Sequence, residues 1–262
     1  SVCRAGDYFY MVSTTMHLMP GAPIMRSPDM KHWETISYVF PRIDDGPRYD
    51  LLEGTAYGQG QWASSIRYHD GKFYVWFTAN GAPGRGFVYT ATDPAGPWKL
   101  LSRPPHFHDG SLLFDDDGRV YLFHSTGQLT ELKPDLTDVL PGGINQQIFE
   151  RDADEQGLLE GSSVIKHNGK YYFVSRLNGK RSALKQGETL PLRPDARKRY
   201  RRETVTEIGS QLVSKNVDFT IALDMSTLRW EPYSMQPVRL PDFEKDIWWG
   251  LVTMFGTEGD VE

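Results

Sequence analysis

The chain has 262 residues, 39% hydrophobic and 13% aromatic, enough to bury the core of one large domain and too apolar for wholesale disorder. A formal net charge of -5 argues against nucleic acid as a partner and suits neutral sugars or small molecules. Cys3 is the only cysteine, so neither an intramolecular disulfide nor a cysteine-rich zinc site can form.

In chain order, Ser1 to Val12 reads as the innermost strand of a first repeat, with Val2, Phe9 and Met11 alternating against polar neighbours. The loop that follows carries Met16 and His17 and ends in Pro20-Gly21. His17 reads equally as a ligand-facing donor and as a solvated loop histidine. Residues 41–57 form an excursion between repeats, and Asp44-Asp45-Gly46 within it is more simply a solvated turn than a general base. Gln61 to Tyr68 opens the second repeat. Its Trp62 is flanked by small residues, as a sugar-stacking platform needs, but a ring plugging the core is the simpler reading.

Phe107 to Phe114 opens the third repeat and contains Asp109; the run Asp115-Asp116-Asp117 reads as a solvated turn. Leu158-Leu159-Glu160-Gly161-Ser162-Ser163 opens the fourth, with Glu160 placed in its repeat as Asp109 is in the third. Residues 177–204 are basic and aperiodic, densest at Arg197 to Arg202, and read as a solvated insertion rather than a phosphate-tracking surface. Strands resume over Val217–Leu223 and Trp248–Thr257. No apolar run is long enough to cross a bilayer.

Two signatures recur along this path. A tight glycine turn opening an aromatic strand occurs at Gly6, Asp70-Gly71, Asp117-Gly118 and Asn168-Gly169, three of them type I′ hairpin dipeptides. An acidic turn leading to Trp follows at Asp29 to Trp33, Asp93 to Trp98 and Asp224 to Trp230, with Lys133-Pro134-Asp135-Leu136 as a copy without its Trp. Repetition at roughly 40 to 65 residues predicts a β-propeller over a sandwich of hairpins. In a propeller the starts of innermost strands converge on the axis, which would bring Asp109 and Glu160 into one pocket. Mutual repulsion there raises one carboxyl pKa, as a general acid near neutral pH requires. Glycosidic bonds are hydrolysed by such a pair.

These residues resemble the family 43 glycoside hydrolases, in particular β-xylosidases and α-L-arabinofuranosidases. The likeness spans about Ser1 to Ser175 and rests on Ser1-Val2-Cys3-Arg4-Ala5-Gly6-Asp7, Met19-Pro20-Gly21-Ala22-Pro23-Ile24, Ser27-Pro28-Asp29 with Trp33, Trp62-Ala63-Ser64-Ser65-Ile66-Arg67-Tyr68, Asp109-Gly110-Ser111-Leu112 and Leu159-Glu160-Gly161. It implies an all-β, five-bladed β-propeller over 1–262, divergent or incomplete in its last blade, and an inverting mechanism with carboxyl groups roughly 6.5–9.5 Å apart. By the same likeness Glu160 matches the general acid, Asp109 the residue that tunes and orients it, and Trp62 the wall of the sugar subsite. Met16 falls where many relatives place Phe.

The family's general base would lie two positions ahead of Ser1, so the chain as given is expected to bind sugar and hydrolyse it poorly. Asp7 matches a different, non-catalytic residue, and the later glycine-rich histidine motif has no counterpart after Arg176. The expected substrate is a small oligosaccharide or a polysaccharide, with no nucleic acid or membrane partner. No metal ligand is assigned and no cofactor is required, a structural calcium being compatible. The expected location is periplasmic or extracellular. A non-catalytic carbohydrate-binding propeller is the alternative, and a propeller serving protein partners a third reading that rests on the basic insertion.

Overall fold

The computed structural model describes residues 1–50, 52–80, 84–148, 155–167, 170–181, 203–209, 218–223, 230–240 and 247–256, and these contain strands and no helix. The chain forms two compact units, Ser1–His124 with Leu129–Gln146, and Ser125–Gln128 with Gln147–Glu262.

The first unit is built on three four-stranded sheets whose sequence neighbours are spatial neighbours. They comprise β1 (Val2–Ala5), β2 (Tyr8–Val12), β3 (Gly21–Ser27) and β4 (Glu34–Phe40); β5 (Gly60–His69), β6 (Lys72–Asn80), β7 (Gly86–Ala91) and β8 (Lys99–Ser102); and β9 (Ser111–Phe114), β10 (Val120–His124), β11 (Gln128–Leu132) and β12 (Asn145–Gln147). The opening segment is a hairpin rather than one strand, because Gly6 turns the chain between β1 and β2 and pairs Ala5 with Tyr8. Asp70 and Gly71 both take positive φ between β5 and β6, the geometry that lets a two-residue turn match strand twist.

Three of the acidic turns, at Asp29, Asp93 and Asp135, have one structural meaning: each joins the third strand of its sheet to the fourth, while the turn that Asp224 opens lies outside the described residues. Asp29 Oδ1 accepts from the backbone N–H of Lys31 and His32 at 2.9 Å each, Asp93 Oδ1 from Ala95 at 2.8 Å, and Asp135 Oδ1 from Thr137 at 3.0 Å. The tryptophan that ends two of these turns is anchored as well. Trp33 Nε1 donates to Met30 O at 3.0 Å, and Trp98 Nε1 reaches Ser37 Oγ of the first sheet at 3.2 Å.

Strand β6 is buried on both faces, and its two-residue period divides the core. Val75 and Phe77 join Tyr10, Ile24, Phe40 and Ile66 between the first and second sheets. The intervening Trp76 joins Leu112, Val120 and Leu122 between the second and third. Phe77 is stacked between Phe40 at 4.9 Å and Phe87 at 4.7 Å.

The second unit contains β13 (Glu155–His167), β14 (Lys170–Arg181), β15 (Glu203–Gly209) and β16 (Asp218–Leu223) as an antiparallel meander, and a hairpin of β17 (Trp230–Leu240) and β18 (Ile247–Gly256). Of the basic stretch 177–204, Leu177–Arg181 belongs to β14 and Glu203 opens β15. The dense run Arg197 to Arg202 lies outside the described residues.

His124, buried at the end of β10, sets a pH dependence. Its Nε2 is 2.9 Å from Thr130 Oγ1 and its ring 4.3 Å from Phe107, and burial lowers its pKa to about 4. The unfolded chain therefore binds a proton on this residue that the folded chain refuses. The associated stability is fully present above pH about 6.5 and is lost as pH falls toward 4, on the order of 2 to 3 kcal/mol. Chemical denaturation across pH 4 to 7 is expected to show this slope in the wild type and a flatter profile in His124→Gln.

Candidate active site

The site is best built outward from Arg67 on β5. Its guanidinium donates through Nε to Leu112 O at 2.7 Å, through Nη2 to Ser111 Oγ at 2.7 Å, and through Nη1 to Ser1 Oγ at 3.1 Å and Ile66 O at 2.8 Å. One side chain thus ties the starts of β1 and β9 to the middle of β5. Desolvation lowers its pKa to about 10, which leaves it charged at neutral pH. Ser65 Oγ adds a second tie, accepting from Leu112 N at 3.2 Å.

These ties hold the segment that carries Asp109. The aspartate sits two residues ahead of β9 at a φ of 50°, with its side chain only 10% exposed and its Oδ1 3.6 Å from His108 Nε2. Positive φ is a conformation that Asp tolerates better than most residues. Gly110 follows because nothing larger fits: a Cβ there would run into Trp76 Nε1 and come within 3.0 Å of Leu122 Cδ1. Trp76 is fully buried and cannot yield. Nearby, burial and then the charge of His108 hold the His106 imidazole below its ordinary pKa.

Met16, His17 and Trp62 come together in the first unit. Met16 has a φ of 54°, and its carbonyl accepts from Gln61 N at 3.1 Å. Gly60 keeps that approach open, since a Cβ on it would strike Met16 O. His17 Nδ1 accepts from Gly58 N at 3.1 Å, which leaves a neutral ring's proton on Nε2, while Trp62 Nε1 donates to Gly58 O at 3.1 Å. The peptide of Gly58 is therefore clasped from both sides. Trp62 is 41% exposed and Met16 45%, so Trp62 is not the core plug that its surroundings in the sequence favoured. The cause is a bulge in β5 between Gln61 and Ser64, which re-aims the side chains inside it.

Glu160 lies in the second unit, within β13, immediately before a comparable bulge between Glu160 and Ser163. It is 6% exposed, with Ser163 and Val164 buried beside it along the strand. Asp109 precedes its strand and Glu160 lies inside its own. What the two share is the Gly-Ser pair that follows each acid and a positive φ beside it, at Asp109 itself and at Gly161.

Sequence reasoning did not single out Arg67, which carries the geometry; it stands there only as one residue of the run Trp62 to Tyr68. Asp45 is not solvated: its Oδ1 accepts from Arg103 Nη2 at 2.7 Å, and that guanidinium lies 3.6 Å over the Phe87 ring.

Residues 1–191 match the family model described as glycosyl hydrolases family 43. The chain belongs to this family. It is 44% identical over 131 residues to a non-reducing end α-L-arabinofuranosidase of Bacteroides ovatus, covering 49% of this chain and 24% of that protein. It is 32% identical over 192 residues to a xylosidase/arabinosidase of Butyrivibrio fibrisolvens, covering 66% and 35%. A bifunctional GH43-CE protein of Bacteroides eggerthii superposes with a TM-score of 0.77 at 30% identity, over 96% of this chain and 30% of the other. This family 43 chain thus spans roughly a quarter to a third of the length of these three relatives.

The fit around Gly110 gives a test of the site's foundation. Gly110→Ala is expected to lower stability by about 1 to 3 kcal/mol, the usual cost of overpacking a filled core. Thermal denaturation checks the loss, and near-UV circular dichroism is expected to report a changed Trp environment.

Proposed function

We propose that this family 43 chain is a five-bladed propeller that hydrolyses xylosyl or arabinofuranosyl linkages in oligosaccharides derived from plant polysaccharides, with inversion at the anomeric carbon. The observation that carries the reading is the buried carboxyl of Glu160, 6% exposed at a strand bulge. Burial disfavours the charged form of a carboxyl, which suits a residue that must deliver a proton. Glu160 protonates the departing glycosidic oxygen, and Asp109 orients it and tunes its proton affinity. Trp62 offers a flat apolar face to the C–H side of the sugar, Met16 widens the wall beside it, and His17 presents Nε2–H as a donor to a sugar hydroxyl.

The base in this proposal is the aspartate expected two residues ahead of Ser1. Ser1 Oγ accepts from Arg67, the guanidinium that also holds Ser111, so such a base would enter beside the Asp109 segment. Inversion then requires a water between base and sugar.

The test uses the chain carrying Asp-Pro ahead of Ser1, with xylobiose, arabinobiose and their p-nitrophenyl monoglycosides as substrates. Glu160→Gln is expected to reduce turnover of the disaccharides about 10²- to 10⁴-fold. The nitrophenyl substrates, whose leaving group needs less protonation, lose much less. Proton NMR of the first sugar released is expected to show the anomer opposite to that of the substrate. Equal disaccharide rates for Glu160→Gln and wild type would refute the acid assignment, and sugar binding without any turnover would favour the carbohydrate-binding propeller.

A further inference from the structure

Residues 41–50 and 52–57 enter neither the sheets nor the chemistry above, yet they end in an ordered display of one aromatic ring. Tyr57 is 80% exposed, the most exposed aromatic side chain among the described residues. Its surroundings are fixed at close range. Arg48 Nη2 donates to Thr55 O at 3.2 Å and to Gln59 Oε1 at 3.1 Å, bracing the loop from within. Tyr57 N donates to Thr55 Oγ1 at 3.0 Å and Gln59 N to Ala56 O at 2.9 Å. Farther back, Tyr49 hydroxyl donates to Asn80 O at 2.9 Å, which pins the loop to the end of β6.

The ring is joined to the sugar wall through the two residues that wall already uses. Tyr57 packs on His17, centroids 4.7 Å apart at 50°. The next residue, Gly58, is the one clasped by His17 Nδ1 and Trp62 Nε1. Tyr57 and Trp62 are therefore spaced by a fixed peptide, both exposed, with His17 in contact with one and bridged to the other. A large ring held in water by this many backbone contacts has lost its conformational freedom in advance, so little ordering entropy remains to be lost when a ligand stacks on it. Its flat apolar face and hydroxyl rim match a sugar ring, which is apolar on its C–H face and polar at its edge.

We propose that Tyr57 is a second stacking platform that binds the sugar unit next to the one on Trp62, so that the site reads at least two residues of an oligosaccharide chain. This inference rests on the glycosidase reading above, and it assigns Tyr57 to substrate specificity rather than to chemistry. Binding energy from such a remote unit serves to orient the scissile bond, so it separates oligosaccharides from monoglycosides.

The experiment measures binding of xylose, arabinose, xylotriose and arabinotriose to the wild type, Tyr57→Ala, Tyr57→Phe and Trp62→Ala by NMR titration and calorimetry. Thermal denaturation of each variant verifies folding, which the exposure of Tyr57 favours. Tyr57→Ala is expected to weaken trisaccharide binding about 5- to 10-fold and leave monosaccharide binding unchanged. Tyr57→Phe, which keeps the ring face, is expected to stay near wild type, and Trp62→Ala to weaken both sugar classes. Trisaccharide affinity unchanged in Tyr57→Ala, with Trp62→Ala impaired, would overturn this proposal and spare the glycosidase reading. Absence of sugar binding in the wild type would overturn both.

Discussion

The first unit depends on a single charged group placed where three sheet edges meet. Arg67 is taken largely out of water, at a cost that only a full set of acceptors offsets. Ser1 Oγ, Ser111 Oγ, Leu112 O and Ile66 O supply that set from β5 itself and from the starts of the two neighbouring sheets. Apolar packing on either face of β6 draws the sheets together, but it is non-directional and tolerates sliding. The fork of the guanidinium does not, because its donors point in fixed directions and reach oxygens on separate sheets. Position along the strand is thus set by hydrogen bonds, and distance between sheets by side-chain volume.

This division explains how labour is split at the site. Asp109 is held by strand starts and by the close approach of the Gly110 backbone to Trp76, elements that cannot shift without loss of core packing. Met16, His17 and Tyr57 belong to loops, and Trp62 to a bulge, where sequence can change without disturbing the sheets. Rigid elements fix Asp109, and adaptable ones carry Met16, His17, Tyr57 and Trp62. The peptide of Gly58 joins the two regimes, since it belongs to a loop yet is gripped by a bulge residue.

Much of this was legible in the residues. The Asp-Gly turns, the acidic turns before tryptophan and the alternating aromatic strands each encode a local backbone requirement, and local requirements survive without tertiary context. The failures have the opposite origin. Flanking residues alone place Trp62 in the core, whereas the family likeness sets it at the sugar wall; its 41% exposure goes against the core reading, because ring size says nothing of which way a bulge turns it. Asp45 looks solvated in the sequence because its partner Arg103 lies 58 residues away. The role of Arg67 is hidden for the same reason, its acceptors at Ser1 and Ser111 being 66 and 44 residues distant. Alternation over Ser1 to Val12 reads as one strand because alternation alone does not register a reversal of direction, which Gly6 supplies between β1 and β2.

The most direct test of this account is the coupling between Arg67 and Ser111, measured by chemical denaturation of Arg67→Met, Ser111→Ala and the double variant. If the guanidinium sets the register between β5 and β9, the two changes will be non-additive by about 1 to 2 kcal/mol, the range of a charge-assisted hydrogen bond. Strict additivity, with each single variant losing no more than a surface substitution would, would contradict it.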